Sequence, residues 1–155
     1  MRPIALVVLA LAATACGSDE DPCISGTWWE DGNQGSDLMN PGRDCILCHD
    51  RSGGPSFDIA GTVYEDPREP DDCFGVDGAK IRIIDADASV WELESNAAGN
   101  FFHEAEGSTI DLPILATVVT ATGERPMVTA QDSGSCNSCH TVRGLRGAQG
   151  RVTVP

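Results

Sequence analysis

Between about residue 57 and residue 122 the chain is a succession of short β-type runs separated by turn residues. The runs cover 57–64, 79–85, 90–95, 100–104 and 112–122. Ile81 and Ile83 fall on one side of an extended backbone, and Arg82 and Ile84 on the other. Asp87-Ala88-Ser89 and Asn96-Ala97-Ala98-Gly99-Asn100 are hairpin-type connections. Strands at this spacing predict a mainly β fold, a small Greek-key antiparallel β-sandwich. On either side the period is lost. Residues 17–54 are rich in Gly, Asp, Asn and Pro, with Trp28-Trp29 and Ile46-Leu47 as the main apolar content, and read as a looped arm. Residues 134–155 carry Gly144, Gly147 and Gly150 and end in a candidate strand at 151–154.

The first residues follow another pattern. Ile4 to Ala13 hold no polar side chain, the length of a signal-peptide apolar region and too short to span a bilayer as a helix. Ala13, Thr14 and Ala15 then lead into Cys16 and a polar stretch. This resembles the lipobox of bacterial lipoproteins, which implies a lipidated Cys16 as first mature residue and anchorage to a bacterial membrane on its periplasmic or outer side. The alternative is a soluble periplasmic protein in which Cys16 has no special role. The expected division is a signal peptide at 1–15, a lipid-anchored arm with one chemical motif at 16–54, the sandwich at 55–130, and a second motif with the last strand at 131–155.

Charge narrows the partners. With 24 acidic against 10 basic residues the formal net charge is −14, and Lys80 is the only lysine. Such a surface repels nucleic acid and anionic headgroups, so a protein partner is expected to present a basic face. The acidic runs Glu65-Asp66 and Glu69-Pro70-Asp71-Asp72 lack the spaced ligands of a calcium loop and read as a solvated acidic loop.

Seven cysteines carry the chemistry. Four lie in two runs of one form, Cys45-Ile46-Leu47-Cys48-His49 and Cys136-Asn137-Ser138-Cys139-His140. Two thiols at this spacing can both reach the vinyl groups on one side of a porphyrin, and a His directly after them can bind its iron. The motifs resemble those of c-type cytochromes. That resemblance implies two covalently bound c-type haems, with Cys45, Cys48, Cys136 and Cys139 as thioether attachments and His49 and His140 as proximal ligands. The competing readings are a tetrahedral zinc site built from the same four cysteines and a pair of CxxC disulfides. With Cys16 assigned to lipid, Cys23 and Cys73 remain, read as a disulfide or as two buried thiols.

The sixth ligands are less constrained. His103 is the one His outside the motifs, and Met39 and Met127 are the Met residues beyond the initiator, each beside a Pro or one residue from it. All three are candidate distal ligands, and their use decides function. Met/His ligation raises a haem potential relative to bis-His, whereas an open position admits O₂, NO or peroxide. The expected function is an exported dihaem cytochrome that passes electrons between periplasmic or outer-membrane partners. The alternatives are a dihaem peroxidase-like or gas-reactive enzyme, a partner-binding module, and a zinc ribbon. Finally, Ile59-Ala60-Gly61-Thr62-Val63-Tyr64, Gly78-Ala79-Lys80-Ile81-Arg82-Ile83 and residues 95–102 resemble the carboxypeptidase-regulatory-like family. This implies a small seven-stranded Greek-key sandwich similar to transthyretin, acting as a non-catalytic scaffold.

Overall fold

The computed structural model describes residues 23–25 and 35–155. Its strands are β1 (Phe57–Tyr64), β2 (Lys80–Ile84), β3 (Val90–Glu94), β4 (Asn100–Glu104), β5 (Leu115–Thr120), β6 (Gly123–Pro126) and β7 (Val152–Thr153). They form two sheets, β4-β1-β7 and β3-β2-β5-β6, as the alternation of the central runs predicts for a Greek-key sandwich. Ile59, Val63 and Phe101 from the first sheet meet Ile81, Ile83 and Val118 from the second in the core. Burying each of these side chains contributes about 1.5–3 kcal/mol, which locks the register because a one-residue slip would expose the set. Ile84 lies on the other face and is 41% exposed.

The structure departs from the sequence reading in five places. Residues 96–100 do not close a hairpin, because β3 and β4 lie in different sheets and the turn carries the chain across the sandwich. The arm around the first CxxCH holds a helix, α1 (Cys45–Ser52). Its two turns are too short to show a period, and its ends define it: the Asp44 side chain accepts the Leu47 N–H, and Gly53, at φ 75°, closes it by donating to the His49 carbonyl. The last strand is also not a flank. β7 pairs with β1 in parallel, Val63 opposite Val152 and Tyr64 opposite Thr153, so the sheet is antiparallel only on the β4 side. β5 begins at Leu115, because Pro113 has no N–H to give a ladder, and β6 forms a hairpin with it that the polar sequence Gly123–Pro126 conceals. The acidic loop, finally, is not simply solvated. Asp71 is buried and accepts the N–H groups of Ser25 and Cys73, while Asp72 pairs with Arg151.

Cys23 and Cys73 form a disulfide with Cα atoms 5.8 Å apart, closing a loop across 50 residues. A loop of this length removes about 4 kcal/mol of chain entropy from the unfolded state. The readings that concern residues 1–15, Cys16, Trp28 and Trp29 lie outside the described residues. Among the described residues no helix is long and apolar enough to cross a membrane.

Two carboxylates tie loops to this frame and predict an acid response. Burial works against the charged form of Asp71, but hydrogen bonds from Cys73 and Ser25 outweigh it and lower the pKa. Asp85 is lowered chiefly by the indole N–H of Trp91, at 2.8 Å, helped by the N–H groups of Ser89 and Asp87. A depressed folded-state pKa gives stability that is complete above the unfolded value of about 3.9 and is lost as pH falls through the folded value. Urea unfolding midpoints should therefore hold from pH 7 to about 5 and fall below about pH 4. Asp71→Asn with Asp85→Asn should flatten that fall.

Candidate functional site

The two CxxCH motifs meet at β1. α1 packs against the strand, while the second motif runs along the edge that β7 also pairs with, where Ser135 bridges Ala60 in parallel. In α1 the three chemical residues stand at helical spacings of three and four, so Cys45, Cys48 and His49 share one face. His49 places Nδ1 2.9 Å from the carbonyl of Pro55. A carbonyl only accepts, so Nδ1 carries the hydrogen and the lone pair lies on Nε2. Gly54 makes this approach feasible, because a Cβ there would stand 2.8 Å from His49 Nδ1.

The His49 ring lies 4.7 Å from Phe57, which lies 5.0 Å from Phe102. These aromatics, with Phe101, line a solvent-open cleft of about 160 Å³ that also takes in Cys45, His49 and Met39. That volume is below the roughly 300–1,000 Å³ of enclosed small-molecule and cofactor sites, so a large group here would stand partly in solvent. Met39 reaches the cleft on a loop held down from β4: Asn100 Nδ2 donates to the carbonyls of Met39 and Asp37, at 3.0 and 3.2 Å, and Asn96 Nδ2 donates to Asp37 at 2.7 Å.

The second motif begins with a single 3₁₀ turn, Cys136–Ser138, and His140 donates its N–H to the Cys136 carbonyl. His140 repeats the device of His49, with Nδ1 2.9 Å from the Gly150 carbonyl. The motif can lie this close because β1 has glycine at position 61. A Cβ there would come within 2.6 Å of the Phe101 ring and 2.8 Å of Cys136 Cβ. Gly150 is fixed in turn by its neighbour Arg151, whose N–H and Nε donate to the carbonyls of Pro67 and Glu69.

The electrostatics do not favour thiolates. Burial pushes the Cys45 thiol up to about 11 and the Cys136 thiol up to about 12, the latter also through the nearby Cys45. A redox-active CxxC shows the opposite shift. Cys45, Cys136 and Cys139 are free thiols, whereas Cys48 is disulfide-bonded. Thioether attachment at Cys48 requires that bond to be reduced first. Among the described residues the ligand-bearing cluster of three is Cys23, Asp71 and Cys73, two of which are already joined as a disulfide. Among the described residues no three of the four motif cysteines bring their sulfurs within 4.8 Å of one another.

Of the other candidate ligands, His103 faces the sandwich side of β4. It bonds Asp58 through Nδ1 at 3.1 Å, and its ring meets Trp91 edge-on. Met127 follows β6 at the edge of the four-stranded sheet and donates its N–H to Ala116. Sequence reasoning missed the carbonyls of Pro55 and Gly150, because a backbone acceptor leaves no signature in residue type. It also missed Thr62, Asn100 and Asn137, polar residues buried among strands, whose only signal is a polar side chain where a core residue is expected. No known family model, curated protein or solved structure matches this chain.

Proposed function

We propose that the chain is a dihaem c-type cytochrome that carries electrons between protein partners. The observation that carries this reading is the shared disposition of His49 and His140. Each directly follows a CxxC pair and has Nδ1 tied to a backbone carbonyl, so that Nε2 is left as a ligand. An outer partner of this kind fixes the tautomer and orientation of a metal-bound His and raises its basicity. Bound there, each haem supplies a reversible one-electron iron couple.

The residues around the first motif fit such a group. Phe57, Phe101 and Phe102 give an apolar wall, and Met39 lines the same cleft as His49. Met39 is accordingly the residue that would supply a thioether ligand to a haem held at His49. The apolar wall limits water and the loop held by Asn100 limits exchange of the ligand, both of which suit transfer of electrons more than activation of a small molecule. The zinc ribbon is disfavoured because Cys48 is disulfide-bonded and, among the described residues, no three motif cysteines bring their sulfurs within 4.8 Å of one another. The seven strands in sheets of three and four suit the scaffold role that the carboxypeptidase-regulatory-like resemblance implies. The net charge of −14 favours partners with a basic face, and the lipobox-like start favours a membrane-anchored protein on the outer side of a bacterial membrane.

Chain produced with c-haem attachment machinery should give a pyridine haemochrome of two haems and no zinc. Its ferric spectrum should contain the long-wavelength band of sulfur-to-iron ligation. Met39→Ala should abolish that band and lower one potential, since Met/His ligation raises it. Protein that matures colourless and binds zinc would overturn the reading. Tight binding of CO by ferrous protein, with no ligand displaced, would instead favour the gas-reactive alternative.

A further inference from the structure

We propose that the buried side chains Thr62, Asn100 and Asn137 clamp the two haem-attachment motifs and the Met39 loop into one unit, so that the two haems are an interacting pair and not independent centres. This rests on the dihaem reading and goes beyond it, since two CxxCH motifs in one chain do not by themselves require any contact between their sites.

Asn137 lies inside the second motif, between its two cysteines. Its Nδ2 donates to the Arg43 carbonyl, two residues before Cys45, at 2.8 Å and to Thr62 Oγ1 at 3.1 Å, while its Oδ1 accepts the Thr62 N–H at 3.2 Å. Thr62 Oγ1 donates to Asn100 Oδ1 at 2.9 Å and accepts the Gly42 N–H at 2.9 Å. Asn100 spends both Nδ2 hydrogens on the carbonyls of Asp37 and Met39. The second motif, the approach to the first and the loop that presents Met39 thus share one hydrogen-bonded network.

Its members are 0%, 4% and 5% exposed, and every side-chain donor among them has an acceptor. Burying three polar side chains costs stability unless all are satisfied, and a fully satisfied network fixes one arrangement of what it joins. Glycine or an aliphatic residue would fill these places without that cost, so the network's effect is on geometry. A second tie lies nearer the sulfurs. Ser135, which precedes Cys136, donates its hydroxyl to Asp44 Oδ1 at 2.5 Å, and Asp44 precedes Cys45 and caps α1 through the same oxygen. The residues adjacent to the first cysteine of each motif are in direct contact, which brings the two attachment points together.

The test uses the full-length chain after haem attachment. Haem stoichiometry is measured first, followed by EPR of the ferric protein and a potentiometric titration. The expected wild-type result is spin interaction between the two irons and a second reduction displaced by the first. Asn137→Asp keeps one acceptor and removes both donors. It should keep two haems, lose the interaction and weaken the Met39 band, changes that a loss of stability alone would not produce. If that variant does not mature, Ser135→Ala, which removes one half-buried hydroxyl, should retain both haems and show reduced interaction. Two haems with independent EPR signals and potentials in the wild type would overturn the clamp and leave the dihaem reading standing. Fewer than two haems would overturn the dihaem reading, and the clamp with it.

Discussion

If the chain carries the two proposed haems, Cys136→Ser together with Cys139→Ser should leave one covalent haem per chain, and Cys45→Ser with Cys48→Ser should do the same. The reason is chemical. A thioether forms when a thiol adds to a vinyl group, and the serine hydroxyl does not substitute for it. Each pair is served by its own His, held from outside by a different carbonyl, Pro55 for His49 and Gly150 for His140. Loss of one pair therefore does not remove the ligand of the other. The remaining spectrum identifies the site: protein retaining the first motif should keep the sulfur-to-iron band, because Met39 lines the cleft of His49. The measurement is haem per chain by pyridine haemochrome, with denaturing gels stained for covalent haem. Retention of two covalent haems by either double variant would contradict the assignment. Attachment at the first motif should also depend on reductant, since Cys48 is held in a disulfide while Cys136 and Cys139 are free.

The parts of this fold that were legible in the sequence are those with a repeating physical signal. β2 shows this most plainly, with Ile81 and Ile83 buried between exposed Lys80 and Ile84 inside the predicted 79–85 run, and β1 and β4, rich in aromatic and β-branched residues, have the bounds the sequence reading gives them. α1 was not legible, since eight residues cannot display a period and its two caps, Asp44 and Gly53, read equally well as loop residues. The parallel place of β7 is a long-range fact. Nothing in Val152–Thr153 says which strand it will join, and the answer depends on Arg151 and on the edge of β1 that β4 leaves open. The CxxCH motifs were legible because their chemistry is local. What orients them was not. Pro55 and Gly150 act through backbone carbonyls, and Asn137 and Thr62 are 75 residues apart in sequence.

Breaking the Arg151 anchor should combine a large loss of stability with a change at the second site. The Arg151 side chain is 3% exposed, and its guanidinium stands 4.3 Å above the Tyr64 ring, donates to the Glu69 carbonyl at 2.7 Å and pairs with Asp72. Tyr64, itself fully buried, donates its hydroxyl to the Asp72 carbonyl, and burial holds its pKa well above the ordinary value. Removing one member of a buried pair costs about 3–5 kcal/mol because the other charge is left without compensation. Asp72→Ala strands Arg151 in this way. Since Arg151 keeps the Glu69 carbonyl and the Tyr64 face, the expected loss is near the lower end, about 3 kcal/mol. Arg151→Met keeps most of the stem and frees Asp72, which is 33% exposed, to water. Its cost should be smaller, about 1–2 kcal/mol for the lost ring contact and hydrogen bonds. The double variant should then be more stable than Asp72→Ala alone, a coupling that urea unfolding of the four proteins reads directly. Gly150, whose carbonyl orients His140, is bonded to Arg151 along the chain. Arg151→Met should therefore shift the spectrum and potential of the second haem and leave the Met39 band of the first unchanged. A stability loss with both sites unaltered would separate the anchor from the orientation of His140.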